Sequence, residues 1–341
     1  MKILLICSSA KGSMTESYLR GFLELNEKAE IVDDEKLYKE SFFLAKNKYC
    51  HRLFWRFLAV FLQKKLIEEI VSKKPDLIFV FKGFLIKPKT LLKIKKELPG
   101  ARLFNFNTDN PFNTWHHGNS NSWIRKSIPL YDAYFIWGKF LLEPLKKAGA
   151  KRAEYLPCGY DLKLHRSVET TDIEKKIFGS DVAFIGSWDK EREWWLSHLL
   201  EYDLKIWGNS WEKADKKLQE KWQKKEVIGE EFSKVCNASK IVLNIIRKQN
   251  IPAHNMRTFE VPACAGFLLS IRTGEAQEFF KESEEMAYFS SPEELKEKIG
   301  FYLKNDELRK KIAEAGYQRL LNSNYTYTNR AKKVIEVYKS L

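Results

Sequence analysis

Short apolar runs alternate with longer amphipathic segments along the chain of 341 residues. Because strands separated by helices are joined by crossovers, this alternation is typical of a parallel sheet covered by helices. In the first half, strands are predicted at residues 3–7, 29–33, 77–81, 102–106, 133–136 and 154–156, and helices at 15–25, 50–73, 87–97 and 140–148. The order of these elements predicts a Rossmann-like domain.

The alternation starts again in the second half of the chain. Strands are predicted at 181–185, 204–207, 241–243, 267–270 and 286–288, and helices at 190–201, 257–265, 292–304 and 306–321. Since 341 residues exceed the length at which one hydrophobic core stops growing, we expect two Rossmann-like domains, residues 1–165 and 166–325. The polar stretch 157–179 is the predicted linker. Residues 326–341 are predicted to form a helix that packs back on the first domain.

Charge and cysteine usage narrow the class of protein. The net charge is +14, and residues 1–177 hold 32 Lys and Arg against 20 Asp and Glu. A basic half suggests a polyanionic partner, meaning nucleic acid, anionic lipid headgroups or an acidic polymer. The five cysteines are scattered and form neither a Cys-x-x-Cys pair nor a zinc-spaced cluster, which fits a reducing cytoplasm and no structural metal. Without a long uncharged apolar run, no membrane span is predicted.

The sequence from 239 to 270 carries the most informative chemistry. A predicted buried strand places Asn244 and Arg247 at its carboxyl end. A loop then leads to a helix that begins near Asn255 and carries Arg257. Free N–H groups at a helix start, together with arginines, form a site for a diphosphate. Glu260 follows within the helix, where its carboxylate can accept hydrogen bonds from both hydroxyls of a ribose. Two structural alternatives stay open: an acidic residue that complements the helix dipole, and arginines in surface ion pairs.

These residues belong to a wider resemblance, which covers residues 181–341 and, more loosely, the whole chain. The sequence is similar to the CgeB-like spore-maturation glycosyltransferases, relatives of the retaining family-four glycosyltransferases. The string Asn-Met-Arg-Thr-Phe-Glu-x-Pro-Ala-Cys-x-Gly is its most specific part. The matching segments are 184–188, 191–192, 206–211, 255–267, 291–295 and 315–316.

The resemblance implies a GT-B fold, with a nucleotide-sugar donor bound by the C-terminal domain and an acceptor by the N-terminal domain, and no essential metal. It gives Glu260 the ribose, Arg247 and Arg257 the diphosphate, and Gly186 a close backbone approach to phosphate. The donor-binding residues expected are Gly186, Arg192, Asn244, Arg247, Asn255, Arg257, Thr258 and Glu260. One departure is Pro252, which stands where the wider family has a sugar-contacting Glu, so that this carboxylate is either missing or replaced by another residue such as Asn255 or His254.

The N-terminal half offers a polar loop, 105–117, directly after a predicted strand. Asp109 and His116 are the candidate general bases for an acceptor hydroxyl, although Asp109 also suits a turn with the residues that follow it. Four further residues are expected in the acceptor site or crevice: Ser9, Gly12, Lys82 and Gly83. No dinucleotide-binding or P-loop pattern is present.

The segment 51–65 combines basic and large aromatic residues on one predicted helix. Core packing and contact with an anionic membrane surface are both open for it. We therefore expect a glycosyltransferase that moves a sugar from a nucleotide-diphosphate sugar, such as a UDP-sugar, to a hydroxyl of a cell-surface polysaccharide, lipid-linked or otherwise anionic acceptor. It would need no cofactor and would be cytoplasmic or peripheral on the inner membrane face. The alternatives are a nucleotide-sugar epimerase or hydrolase on the same fold, and a basic nucleic-acid-binding protein, although we expect no nucleic-acid partner.

Overall fold

The computed structural model describes residues 1–7, 12–41, 48–113 and 120–341, and of these all side chains except those of 41 and 48–58. The chain divides into two compact units. The first is Met1–Pro157 with Tyr327–Leu341, and the second is Cys158–Thr326.

The first unit contains a parallel six-stranded sheet with the order β2-β1-β3-β4-β5-β6. Its strands are β1 Lys2–Ile6, β2 Lys28–Val32, β3 Leu77–Phe81, β4 Arg102–Asn107, β5 Ala133–Ile136 and β6 Ala153–Tyr155. In the register, Ile3 of β1 lies beside Ala29 on one side and Leu77 on the other. The inner strands are apolar at nearly every position because helices cover both faces of such a sheet.

The helices of this unit that precede the second unit in the chain are α1 Met14–Glu24, α2 Asp34–Ser41, α3 Lys48–Lys73, α4 Pro88–Glu97, α5 Ser122–Ser127 and α6 Leu142–Lys147. Helix α1 begins where Ser13 accepts a hydrogen bond from the Glu16 N–H group. It buries Tyr18 and Phe22 against the aromatic side chains of the sheet.

The second unit contains a parallel five-stranded sheet with the order β11-β10-β9-β7-β8. Its strands are β7 Val182–Ile185, β8 Leu204–Trp207, β9 Ile241–Asn244, β10 Leu268–Ile271 and β11 Ala287–Phe289. Its helices are α7 Asp172–Phe178, α8 Lys190–Ser197, α9 Lys216–Lys221, α10 Glu230–Ala238, α11 Arg257–Ala263, α12 Gly274–Phe279, α13 Pro292–Lys304 and α14 Asp306–Leu321. Every predicted strand of both halves is confirmed, with bounds that differ by at most one residue.

Helix α15, Tyr327–Lys339, returns to the first unit and packs on α1. Gly21 makes this contact possible, since a Cβ atom at that position would lie 2.9 Å from the Tyr327 carbonyl oxygen. The Thr328 hydroxyl donates to the Glu24 carboxylate at 2.6 Å. The last helix therefore completes one face of the first sheet's helical cover.

The predicted linker is wrong in one respect, because its polar stretch contains α7. The helix begins with a capping box in which Thr171 and Glu174 exchange side-chain and backbone hydrogen bonds. Within the described residues, no helix is long and apolar enough to cross a membrane.

Candidate functional site

The carboxyl ends of the second sheet bring together most of the predicted donor-binding residues. Ligands of open parallel sheets bind at these ends, where the loops between strands and helices lie. Strand β7 leads through Gly186 to α8, and β9 ends at Asn244 before the loop to α11.

Two asparagines join the end of β9 to the start of the α11 loop. The Asn244 amide nitrogen donates to the Asn255 side-chain oxygen at 3.1 Å, and the Asn255 amide nitrogen donates back at 2.8 Å. Asn244 also donates to the Ser270 hydroxyl at 3.1 Å. Since Asn244 is buried, these bonds fix the loop that carries the predicted diphosphate-binding arginines.

Three arginines lie close together in this region, Arg192, Arg247 and Arg257, and Asp189 contacts the first two. Its carboxylate accepts from Arg247 Nε at 2.7 Å and lies 3.4 Å from Arg192 Nε. It also caps α8 by accepting from the Arg192 N–H group at 2.9 Å. Burial, together with the positive charges of Arg247 and Arg257, lowers the pKa of Arg192 to about 10. Three cations thus lie together with the carboxylates of Asp189, Glu191 and Glu260, and guanidinium groups grouped in this way can bind an added anion.

Arg192 and Gly186 pack tightly. The Arg192 Nη1 atom donates to the Ser187 carbonyl at 2.8 Å, and its buried Nε has no hydrogen-bond acceptor in the described part of the chain. A Cβ atom at Gly186 would lie 3.0 Å from the Phe184 ring and 3.4 Å from Arg192 Nη1. Glycine therefore leaves room for the guanidinium beside the end of β7.

Arg257 and Glu260 lie together at the start of α11, which has no side-chain cap. Arg257 donates through Nε to the Ile185 carbonyl at 3.2 Å, and its Nη1 pairs with Glu260 Oε2. The guanidinium carbon lies 4.8 Å from the centre of the Phe232 ring. The Glu260 Oε1 atom is 3.7 Å from His165 Nε2. The cation expected at the diphosphate thus also pairs with the carboxylate expected at the ribose.

Thr258 and His254, two further candidates near Pro252, point into the protein. The Thr258 hydroxyl is fully buried, with no hydrogen-bond partner among the described residues. His254 is also fully buried: its Nδ1 lies 3.0 Å from Glu275 Oε2, and its Nε2 accepts from the Cys158 N–H group at 3.1 Å. Those bonds assign His254 a neutral ring with the proton on Nδ1, held in a structural pair.

In the first unit, the structure pairs two of the predicted acceptor-side residues. Lys82 Nζ lies 2.6 Å from Asp109 Oδ2, and both side chains are about one quarter exposed. Lys82 and Gly83 have φ angles of 61° and 76°, so that the backbone after β3 turns sharply to present this lysine. The Asn107 side chain accepts from the Asp109 N–H group at 3.0 Å. Ser9 and His116 lie outside the described residues.

A second polar group in the first unit lies at the ends of β1 and β2. Gly12 donates its N–H group to the Glu16 carboxylate at 2.9 Å. Nearby, burial raises the pKa of the Asp34 carboxyl to about 7, helped by the negative charges of Glu35 and Asp33. Burial also raises the pKa of the Cys7 thiol well above its ordinary value. This thiol is therefore unreactive in its resting form.

Residues 190–336 match a family model described as glycosyl transferase-like. A search of curated protein sequences found no match.

The whole chain is similar to several solved structures. HepE from Anabaena, in complex with UDP-glucose, has a TM-score of 0.69 and 13% identity over 100% of both chains. Sucrose-phosphate synthase from Thermosynechococcus elongatus has a TM-score of 0.68 and 11% identity over 100% of this chain and 98% of that one. A candidate UDP-N-acetylglucosamine 2-epimerase from Listeria monocytogenes has a TM-score of 0.59 and 14% identity over 99% and 96%. The chain has the GT-B fold, with two Rossmann-like domains.

The glycosyl transferase-like region contains every predicted donor-binding residue except Gly186. Three residues that contact this set, Asp189, His165 and Phe232, were missed by the sequence analysis. For Asp189 a signal existed, since an aspartate immediately before a helical pattern is a common N-cap. For His165 and Phe232 no local signal existed, because they reach Arg257 and Glu260 from other segments of the chain.

Proposed function

We propose that this chain is a glycosyltransferase that moves a sugar from a nucleotide-diphosphate sugar to an acceptor hydroxyl. The observation that carries the proposal is the cluster of Arg192, Arg247 and Arg257 beside Glu260, within or next to the region that matches the glycosyl transferase-like family. Within that family, we propose a CgeB-like enzyme. HepE, a structure of the same fold, was solved with UDP-glucose, which supports UDP as the first nucleotide to test.

The donor would bind through its diphosphate and its ribose. The three arginines stabilise the negative charge that develops on the departing diphosphate, the kind of electrostatic stabilisation that lowers the barrier of such reactions. Glu260 accepts the ribose hydroxyls, with Arg257 on its second oxygen. Because arginines supply the positive charge, we propose that the reaction needs no metal and no cofactor.

The acceptor would be activated in the first unit. Asp109 is our proposed base for the acceptor hydroxyl, and Lys82 holds its carboxylate in place at 2.6 Å. A cell-surface polysaccharide, lipid-linked or otherwise anionic acceptor fits the excess of Lys and Arg in residues 1–177. On α3, Val60 and Phe61 are exposed next to Lys64, as in a helix that lies on an anionic membrane surface. We therefore propose a cytoplasmic, peripheral location.

A binding experiment tests the donor site. UDP, GDP, ADP, CDP and TDP are added separately, and the melting temperature is measured; a ligand at 100 times its Kd stabilises the folded state by about 2.7 kcal/mol. Glu260→Ala should abolish the shift, whereas Glu297→Ala, an exposed residue of α13, should preserve it. If no diphosphate raises the melting temperature of the wild-type protein, the donor site is refuted.

A product assay separates the proposed transferase from an epimerase or hydrolase, the alternative supported by the similar fold of the candidate epimerase. The matching UDP-sugar is incubated with and without an acceptor glycan, in the presence of EDTA. A metal-independent transferase releases UDP only when an acceptor is present. Release of UDP and free sugar without acceptor indicates a hydrolase, and an isomeric UDP-sugar without UDP indicates an epimerase. Loss of transfer in EDTA would refute metal independence.

A further inference from the structure

A tight turn at the start of the second unit orients the ring of His165. The His165 N–H group donates to the Asp161 carbonyl at 2.8 Å, and the Asp161 N–H group donates to His165 Nδ1 at 3.2 Å. The Asp161 carboxylate accepts from the Lys163 N–H group at 2.9 Å within the same turn. Two hydrogen bonds between Asp161 and His165, one to the His165 backbone and one to its ring, therefore fix the orientation of the ring.

This turn decides which ring nitrogen carries the proton. A nitrogen that accepts a backbone N–H bond has no proton of its own, so the neutral ring of His165 carries its proton on Nε2. That atom lies 3.7 Å from Glu260 Oε1, longer than a hydrogen bond but close enough for direct electrostatic attraction. Both side chains are at most one tenth exposed, so water screens this attraction weakly.

Phe232 packs between the two groups that face Glu260. The His165 ring meets Phe232 edge-on, with centroids 5.3 Å apart, while the Arg257 guanidinium carbon lies 4.8 Å from the same ring. Arg257 pairs with Glu260 Oε2. One carboxylate thus has a cation at one oxygen and a ring N–H group at the other, and a shared aromatic ring limits the movement of both.

We infer that His165 is a positioning residue, which holds the Glu260 carboxylate in the plane needed to accept two vicinal hydroxyls of the donor ribose. The inference rests on the proposed function, because it assumes that Glu260 binds the donor ribose. His165 itself lies outside the matched family region. Each Glu260 oxygen can accept more than one hydrogen bond, so His165 and Arg257 leave acceptor capacity for the diol. Without His165, Arg257 restrains one oxygen, no described residue restrains the other, and the carboxylate can rotate.

Two variants separate the two contacts of the ring, the hydrogen bond at Nδ1 and the contact of Nε2 with Glu260. In His165→Asn, the side-chain oxygen replaces Nδ1 and still accepts from Asp161, but no donor reaches Glu260. In His165→Gln, the longer amide places an N–H group near the position of Nε2. Kd values for UDP and for its 2′,3′-dideoxy analogue are measured by calorimetry, with the melting temperature of each free variant as a folding control.

The wild-type protein should bind UDP more tightly than the dideoxy analogue. His165→Asn should lose up to about tenfold in affinity for UDP, with little change for the analogue, because the 3.7 Å contact contributes no more than one hydrogen bond. His165→Gln should recover most of the loss. Equal losses for both nucleotides, or none, would overturn the positioning role. If wild-type protein binds both nucleotides equally or neither, the ribose role of Glu260 fails instead, and with it the basis of the inference.

Discussion

Replacing Asp189 with asparagine removes one negative charge from between two arginines and keeps the helix cap. In the wild-type protein the Arg192 N–H group donates to Asp189 Oδ1 at 2.9 Å, and the asparagine oxygen can still accept this bond. The ion pairs with Arg247 at 2.7 Å and Arg192 at 3.4 Å are lost, while both arginines keep their charge. Since Asp189 and Arg247 are 26% and 35% exposed, we expect a loss of about 1 kcal/mol in unfolding free energy. Asp189→Ala also loses the cap, for about 1 kcal/mol more.

The same substitution should strengthen diphosphate binding. Asp189 offsets part of the positive charge of Arg192, Arg247 and Arg257, so that its neutralisation increases the attraction for an anion. We expect the Kd for UDP in Asp189→Asn to fall about fivefold, a gain of about 1 kcal/mol at the effective dielectric of a protein surface. Urea unfolding and calorimetry measure the two effects separately. A weaker affinity for UDP in Asp189→Asn would refute the view that these arginines bind the diphosphate.

Three further predictions concern other residues. Asp34→Asn should stabilise the protein at pH 8: because burial raises the pKa of Asp34 from 3.8 to about 7, its stabilising protonated form is present at low pH and stability falls as the pH rises towards 7. The difference should be a few kcal/mol in urea unfolding, of the order set by this shift. Gly21→Ala should destabilise by about 1–3 kcal/mol through its clash with α15, whereas Gly300→Ala, on α13 with open space around it, should be neutral or stabilising. Asp109→Asn should lower turnover about 100-fold or more, with donor Kd unchanged.

Each of these three predictions would be contradicted by a specific result. An equal pH dependence in Asp34→Asn and wild type would exclude Asp34 as the titrating group. Equal effects of the two glycine substitutions would mean that α1 and α15 do not pack as closely as 2.9 Å requires. Turnover that survives in Asp109→Asn would exclude it as the base.

Periodicity was sufficient for the strands, because a buried parallel strand is a short apolar run with polar residues at both ends. It missed the short helices α2, α5, α9, α10 and α12, and it failed at α7, where the polar surface of a seven-residue helix resembles a linker. The capping box of Thr171 and Glu174 was present in the sequence and identifies the start of this helix. Local chemical signals thus carried information that the hydrophobic pattern lacked.

The candidate donor site was predictable where its residues are close in sequence. Arg257 and Glu260, three positions apart on one helix, lie on one face as the spacing requires. Their pairing with each other follows from this spacing, whereas the contact of Glu260 with His165 depends on how separate segments pack. No single-sequence pattern reports such contacts, and the roles assigned to Arg257 and Glu260 stay predictions until a nucleotide is bound.

The packing of α15 on α1 bears on how the protein is made. During synthesis, residues 1–157 emerge before the second unit, 158–326, and α15 emerges only after that unit. Until then Tyr18, which meets Tyr327 at a centroid distance of 5.2 Å, lacks part of its apolar cover. Nascent chains in this state expose apolar surface that aggregates or recruits chaperones. The first unit can therefore be completed only after the second has been synthesised, and a ribosome that stalls before α15 would leave the first unit open along α1.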